Sequence, residues 1–213
     1  MIKELVELYK KESHNALLSI PTKDIEIFYN IILDAYINEK VVYACGNGGN
    51  SACVQNLISD LNIHPFVSND KSKRKGKRNL FHAVSLSTEP TTITALANDI
   101  GFENIYSEQL KYQGTPRDVL FAMSGSGTSK NIVNAIKTAK ELNMIVVLIT
   151  RSEKILEIEK DVDLLLRVKG ISYFPGNTEG NNNNFHFEDC IFKITHIITG
   201  LLKQFVENEN NRS

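Results

Sequence analysis

The sequence predicts an α/β fold, a five-stranded parallel sheet with helices on both faces. Three observations carry that prediction. Five short apolar runs, near residues 41–45, 82–87, 119–123, 144–149 and 163–168, alternate with segments of helical period. Two of the runs feed small-residue loops of nearly the same design, Gly46-Asn47-Gly48-Gly49-Asn50-Ser51 and Ser124-Gly125-Ser126-Gly127-Thr128-Ser129. Each loop then opens onto a helical pattern. Strands alternating with helices of this length pair in parallel through helical crossovers, a doubly wound, flavodoxin-like arrangement whose ligands collect at the carboxyl ends of the strands.

Taken in order, residues 1–19 and 23–39 carry apolar positions at three- and four-residue spacing, among them Leu5, Leu8 and Leu17, then Ile25, Phe28, Ile31, Ile32 and Ala35. They read as two amphipathic helices separated by Pro21, with Thr22 as a cap. Helices are expected near 51–61, 90–98, 103–113, 129–141 and, briefly, 153–159. The stretch 62–80 reads as a basic insertion longer than the fold needs, and 170–185 as a flexible loop ending in Asn181-Asn182-Asn183-Asn184. A last helix near 186–207 presents Ile191, Ile194, Ile197, Ile198, Leu201, Leu202 and Phe205, a stripe broad enough to cover a sheet or a sister subunit. Residues 208–213 read as a frayed tail, and the whole of 1–213 as one domain.

Composition narrows the function classes. A chain of 213 residues with 42% hydrophobic and 23% charged residues has the balance of a globular domain with a sizeable core. Its apolar runs are too short to span a bilayer, which argues against a membrane role. Met1-Ile2-Lys3-Glu4 opens an amphipathic segment with no signal-peptide core, and three cysteines, Cys45, Cys53 and Cys190, form no CxxC pair. A reduced cytoplasmic setting is therefore expected. Six cations fall within residues 71–78, leaving 18 basic against 25 acidic residues elsewhere. No aromatic residues interleave these charges, so the run reads as a solvated loop and argues against nucleic acid as a partner.

The two loops carry the chemistry. A small-residue loop at a helix start presents unpaired backbone N–H groups and the positive end of the helix dipole to an anion. Glycine lets the backbone approach closely, and serine and threonine hydroxyls add donors for phosphate oxygens. Neither loop contains the lysine of a nucleotide-binding P-loop, and no nucleotide cofactor is expected.

The two loops, together with Leu96-Ala97-Asn98-Asp99-Ile100-Gly101-Phe102-Glu103, resemble the sugar isomerase (SIS) domain, within it the phosphoheptose isomerase branch. The resemblance runs from the amino-terminal helices to the last helix. It implies a single SIS domain with a sugar-phosphate site, and a homotetramer whose amino-terminal helices and last helix join subunits, with active sites at the boundaries. Ser124, Ser126, Thr128 and Ser129 match the phosphate-holding loop. Asn47, Gly48 and Ser51 match the loop facing sugar hydroxyls, and Glu89, Asn98 and Asp99 match positions near the substrate.

Aldose–ketose isomerisation moves a proton between neighbouring carbons through an enediol, and so needs a base and an acid. The resembling branch supplies them from a histidine and a glutamate four residues apart after the first loop, and a glutamine and a histidine eight apart on the last helix. Those four groups can also bind zinc. Here the positions are Asn56, Asp60, Glu188 and His196. Asp60 and His196 are the expected acid–base pair, Glu188 is also a substrate-binding candidate, and Asp60, Glu188 and His196 are the candidate set for zinc, with the poor ligand Asn56 at a usual ligand position. Asp60 is one methylene shorter than glutamate, which moves the base back. On residues alone, His196 also reads as a core-facing histidine satisfied by Asp189. His14, His64, His82 and His186 have no partner spacing that marks a site. The alternative is a non-catalytic SIS protein, either one binding a phosphosugar or an adaptor of the type that associates with the bacterial replication initiator.

Overall fold

A computed structural model describes residues 1–67, 80–176 and 185–211. The basic cluster at 71–78 and the asparagine run at 181–184 lie outside the described residues. Two helices, α1 (Ile2–Leu18) and α2 (Thr22–Ile37), precede β1 (Val42–Gly46), α3 (Gly49–Ile63) and β2 (Ala83–Ser85). There follow α4 (Pro90–Asp99), α5 (Ser107–Gln113), β3 (Val119–Met123), α6 (Lys130–Glu141), β4 (Ile145–Thr150), β5 (Leu164–Arg167) and α7 (Phe185–Asn211). The five strands are all parallel in the order β2-β1-β3-β4-β5. This is the flavodoxin-like order, with its switch point between β1 and β3.

Side chains alternate between two apolar layers, as a strand buried on both faces requires. Val42, Ala44, Val119, Phe121, Val147 and Ile149 face α1, α2, α3 and α7. Tyr43, Cys45, Leu120, Ala122, Val146 and Leu148 face α5 and α6. Buried Asp118 secures the start of β3, its carboxylate accepting from the backbone N–H of Val41 and from the N–H and hydroxyl of Thr115.

Several boundaries differ from expectation. α3 runs to Ile63 and a 3-10 turn, His64–Phe66, buries Pro65 and Phe66, so the start of the supposed insertion belongs to the fold. Asn62 explains why: its amide pairs with both the N–H and the carbonyl of Ala83, at 2.9 Å each, standing in for a neighbouring strand beside β2. The helix expected over 103–113 breaks into a 3-10 turn, Phe102–Asn104, and α5, after Gly101 adopts φ 104°. Near 153–159 only a short turn, Glu157–Asp161, forms, its start capped by the Glu159 carboxylate on the Leu156 N–H. α7 continues to Asn211 through the supposed tail, because Phe205 and Val206 still pack on the core.

α1 is tied to α7 by a buried polar cluster. Glu12 accepts from the Ser172 hydroxyl (2.8 Å) and the Tyr173 N–H (2.7 Å) and lies 2.8 Å from His186 Nε2. Burial opposes the ionised Glu12, but these hydrogen bonds outweigh it and hold the carboxyl below its ordinary value of 4.5. A carboxyl lowered in the folded state stabilises the fold above that ordinary value and loses its contribution as pH falls through the folded one. The melting temperature of the wild type should therefore drop more steeply than that of Glu12→Gln on acidification below pH 4.5. Parallel curves in a differential scanning fluorimetry series would remove Glu12 from the account.

Candidate functional site

The two loops leave adjacent strands side by side, since Gly46 pairs with Met123 in the β1–β3 ladder. They are joined by a reciprocal amide pair: Asn47 Nδ2 donates to Asn131 Oδ1 (2.9 Å) and Asn131 Nδ2 to Asn47 Oδ1 (2.8 Å). Tyr106 adds its hydroxyl to Asn47 Oδ1 (3.1 Å) and to the Gly46 carbonyl (2.8 Å). Asn47, expected to face sugar, is thus spent largely on bracing the loops. Asn131 and Tyr106 were not singled out from sequence, and only the helix-start position of Asn131 could have hinted at it. Gly48, with φ 58°, makes the turn into α3, and Ser51 sits half-buried on its first turn.

In the second loop Ser124 is buried, its hydroxyl accepting from the Gly127 N–H (3.1 Å) and lying 3.4 Å from the Ser129 hydroxyl. Ser126 and Thr128 are exposed, with hydroxyls 3.2 Å apart. Both line a cavity of about 510 Å³ together with Arg151, Ser152 and Lys154. Hydroxyls, the start of α6 and two cations against the single carboxylate of Glu153 give this end of the sheet the character of an anion site.

A second cluster lies toward the far end of α3. Asn56 Nδ2 donates to Asp60 Oδ2 (2.9 Å) and lies 3.4 Å from His196 Nε2; Asp60 Oδ2 and His196 Nε2 are 3.5 Å apart. Four-residue spacing puts Asn56 and Asp60 on one face of α3, against the face of α7 that carries His196. Asp189 does not satisfy His196; it accepts from the Tyr9 hydroxyl instead (2.7 Å). His64, dismissed for lack of a spaced partner, places Nε2 3.7 Å from Asp60 Oδ1. Its signal was the same four-residue step, taken forward from Asp60. These residues line an open cavity of about 450 Å³ with Thr199, Gly200 and Lys203.

The structure does not bring Glu188 to this cluster. Glu188 and His196 are eight residues apart on α7, about 12 Å along the axis. Glu188 instead abuts the start of α3, where a Cβ added to Gly49 would lie 2.4 Å from either carboxylate oxygen. Burial and the adjacent Asp189 carboxylate push the Glu188 carboxyl up. The expected zinc set Asp60, Glu188 and His196 is thereby divided, and among the described residues no three His, Cys, Asp or Glu side chains are grouped to hold a metal ion. Asn56, at the remaining ligand position, offers an amide where zinc favours imidazole, thiolate or carboxylate. The residues of one chain do not fit the metal. Glu89 lies at the exposed start of α4, two residues beyond Ser87, whose hydroxyl donates to the Gly46 carbonyl at the first loop (3.2 Å), and Asn98 and Asp99 bond to each other at the exposed end of α4 (2.7 Å).

A flavodoxin-like sheet whose β1 and β3 loops hold hydroxyls and glycine at the switch point has the build of an SIS-type domain. The SIS domain model matches residues 9–151, and the chain belongs to the SIS domain family. Within it the chain is similar to phosphoheptose isomerase from Neisseria meningitidis serogroup A, 34% identical over 140 residues, or 65% of this chain and 66% of that relative. The match thus spans just under two thirds of the relative's length. The fold is shared with phosphoheptose isomerase structures from Neisseria gonorrhoeae (TM-score 0.77, 24% identity, 96% of this chain and 100% of the other) and Francisella tularensis (TM-score 0.78, 24% identity, 96% and 99%).

Proposed function

We propose that the chain is a phosphosugar ketose–aldose isomerase converting sedoheptulose 7-phosphate to D-glycero-D-manno-heptose 7-phosphate. The observation that carries this reading is the Asp60 carboxylate 3.5 Å from the His196 imidazole, both lining a cavity open to solvent. In the forward direction Asp60 takes a proton from C1 of the ketose. The C–H electron pair forms the C1–C2 double bond, and the C2 carbonyl oxygen takes a proton from His196 to give the enediol. Return of a proton to C2, with removal of the O1 proton to the imidazole, leaves the aldose carbonyl at C1, with no net oxidation. The substrate phosphate is assigned to Ser124, Ser126, Thr128 and Ser129, and the sugar hydroxyls to the first loop and Glu188.

The two clusters lie far apart within a chain. Asp60 is eleven residues beyond Gly49, about 16 Å along α3. This separation supports a homotetramer in which the loops of one subunit serve the Asp60–His196 pair of another. The setting we assign is the cytoplasm, where the product would feed heptose units into surface polysaccharide. Purified protein should turn over sedoheptulose 7-phosphate, read as aldose phosphate formed. Ser126→Ala should raise KM with little change in kcat, because it removes a contact made equally to substrate and transition state. Binding of the sugar phosphate without turnover would replace the isomerase with a binding protein.

A further inference from the structure

We propose that the acid–base pair works without a metal ion: the Asn56 amide bridges Asp60 and His196 where an ion would, and Lys203 supplies the positive charge of the cavity. The geometry is that of a bridge. Asn56 Nδ2 lies 2.9 Å from Asp60 Oδ2 and 3.4 Å from His196 Nε2, two atoms that are themselves 3.5 Å apart. Two ligands of one tetrahedral zinc, each about 2.0–2.1 Å from the ion, sit about 3.4 Å from one another, so the carboxylate and imidazole already keep the spacing an ion would impose. An amide nitrogen carries two N–H donors and no lone pair free for a metal. With the ring proton of His196 on Nδ1, it can hold a carboxylate oxygen and the imidazole Nε2 together, but it cannot ligate, and any ion bound between that pair would have to displace it.

An amide bridge carries no net charge, whereas the enediol step develops negative charge on oxygen that needs stabilising. Lys203 lines the same cavity, seven residues after His196 and hence two turns along the same face of α7. Its ammonium is a compact point charge on a flexible stem, suited to following an oxygen through the reaction. Asp60, one methylene shorter than glutamate, is the side chain that the neighbouring amide reaches at 2.9 Å.

This inference rests on Asp60 and His196 being the acid–base pair, yet its first test needs no substrate. Wild-type protein incubated with zinc and desalted should retain almost none by elemental analysis and show no EDTA-reversible rise in melting temperature. Asn56→His, which sets two imidazoles and a carboxylate around one point, should retain about one zinc per chain and gain such a rise. Asn56→Cys, a smaller ligand at the same position, serves if histidine disturbs α3. Stoichiometric zinc on the wild type, or a failure of both folded variants to gain it, overturns the bridge. Where the wild type turns over sedoheptulose 7-phosphate, EDTA should leave the rate unchanged and Lys203→Met should lower kcat at least about tenfold with KM preserved. An unchanged kcat in Lys203→Met overturns the role of that lysine. A wild type that neither binds zinc nor turns over the sugar removes the isomerase reading and leaves the amide bridge standing.

Discussion

Asp60→Asn and His196→Ala should each lower turnover of sedoheptulose 7-phosphate by about 10²- to 10⁴-fold, the range that a positioned general acid or base contributes. Asparagine keeps the size of aspartate and a hydrogen-bonding oxygen for Asn56 Nδ2, so the Asp60 change isolates loss of the base from loss of packing. His196 is 61% exposed in this chain, so trimming it costs the core little and its effect should appear in kcat rather than in stability. The double variant should be scarcely worse than either single one, because the two groups act on one proton path. A combined phosphate-loop variant (Ser124→Ala, Ser126→Ala, Thr128→Ala and Ser129→Ala together) that no longer binds substrate, and Asp60→Asn, each nearly inactive alone, should regain part of the activity when co-assembled, provided the loops of one subunit serve the acid–base pair of another. Intact turnover in both single variants would move the chemistry elsewhere in the molecule. An adaptor has no use for a carboxylate and an imidazole meeting over a cavity, so the same pair of variants separates the two classes.

Much of the fold was legible because both faces of the sheet are buried. That condition writes near-continuous apolar strands such as Val119 to Met123, bounded by glycine and serine. The paired loops were legible for the same reason, since glycine at a strand-to-helix turn has few other uses. Asn62 was not legible, because an amide that mimics a strand is indistinguishable in sequence from a polar residue starting a loop. Asn47 was read by its place in the loop, whereas the reciprocal bond to Asn131 spans 84 residues and has no local signature. Glu188 shows the limit most plainly. Alignment to a four-group motif gathers it with Asp60 and His196, yet within one chain a straight helix holds Glu188 and His196 two turns apart, and Glu188 sits at the start of α3 instead. Spacing along a sequence therefore predicted a shared face correctly for Asn56 and Asp60, and overlooked His64, which the same rule would have found.

Phe28→Ala should destabilise the protein by about 3–5 kcal/mol, a large share of the about 5–15 kcal/mol that holds an ordinary domain together. Phe28 is fully buried in α2, its ring centroid 4.8 Å from that of Phe121 in β3, and Ile32 and Ala35 continue the same stripe into the core. Truncation removes the transfer energy of an aromatic side chain and leaves a cavity that the rigid sheet beneath cannot collapse to fill. Glu26, two residues before Phe28 on α2 and exposed, provides the control: alanine there should change stability by no more than about 0.5 kcal/mol. The comparison distinguishes two roles for the amino-terminal helices. Were α2 chiefly an oligomerisation device, Phe28→Ala would loosen subunits before unfolding them, and the melting temperature would fall with dilution. With Phe28 seated against Phe121 inside one chain, unfolding should be the primary effect, at every protein concentration. What remains for a second copy is the outer surface, where Ile2, Val6, Leu18 and Ile27 stay exposed on α1 and α2 and Ile197 and Leu201 on α7. Ile197 and Leu201 flank His196 and Gly200 in sequence, so a subunit docking there would close the cavity that the acid–base pair opens into.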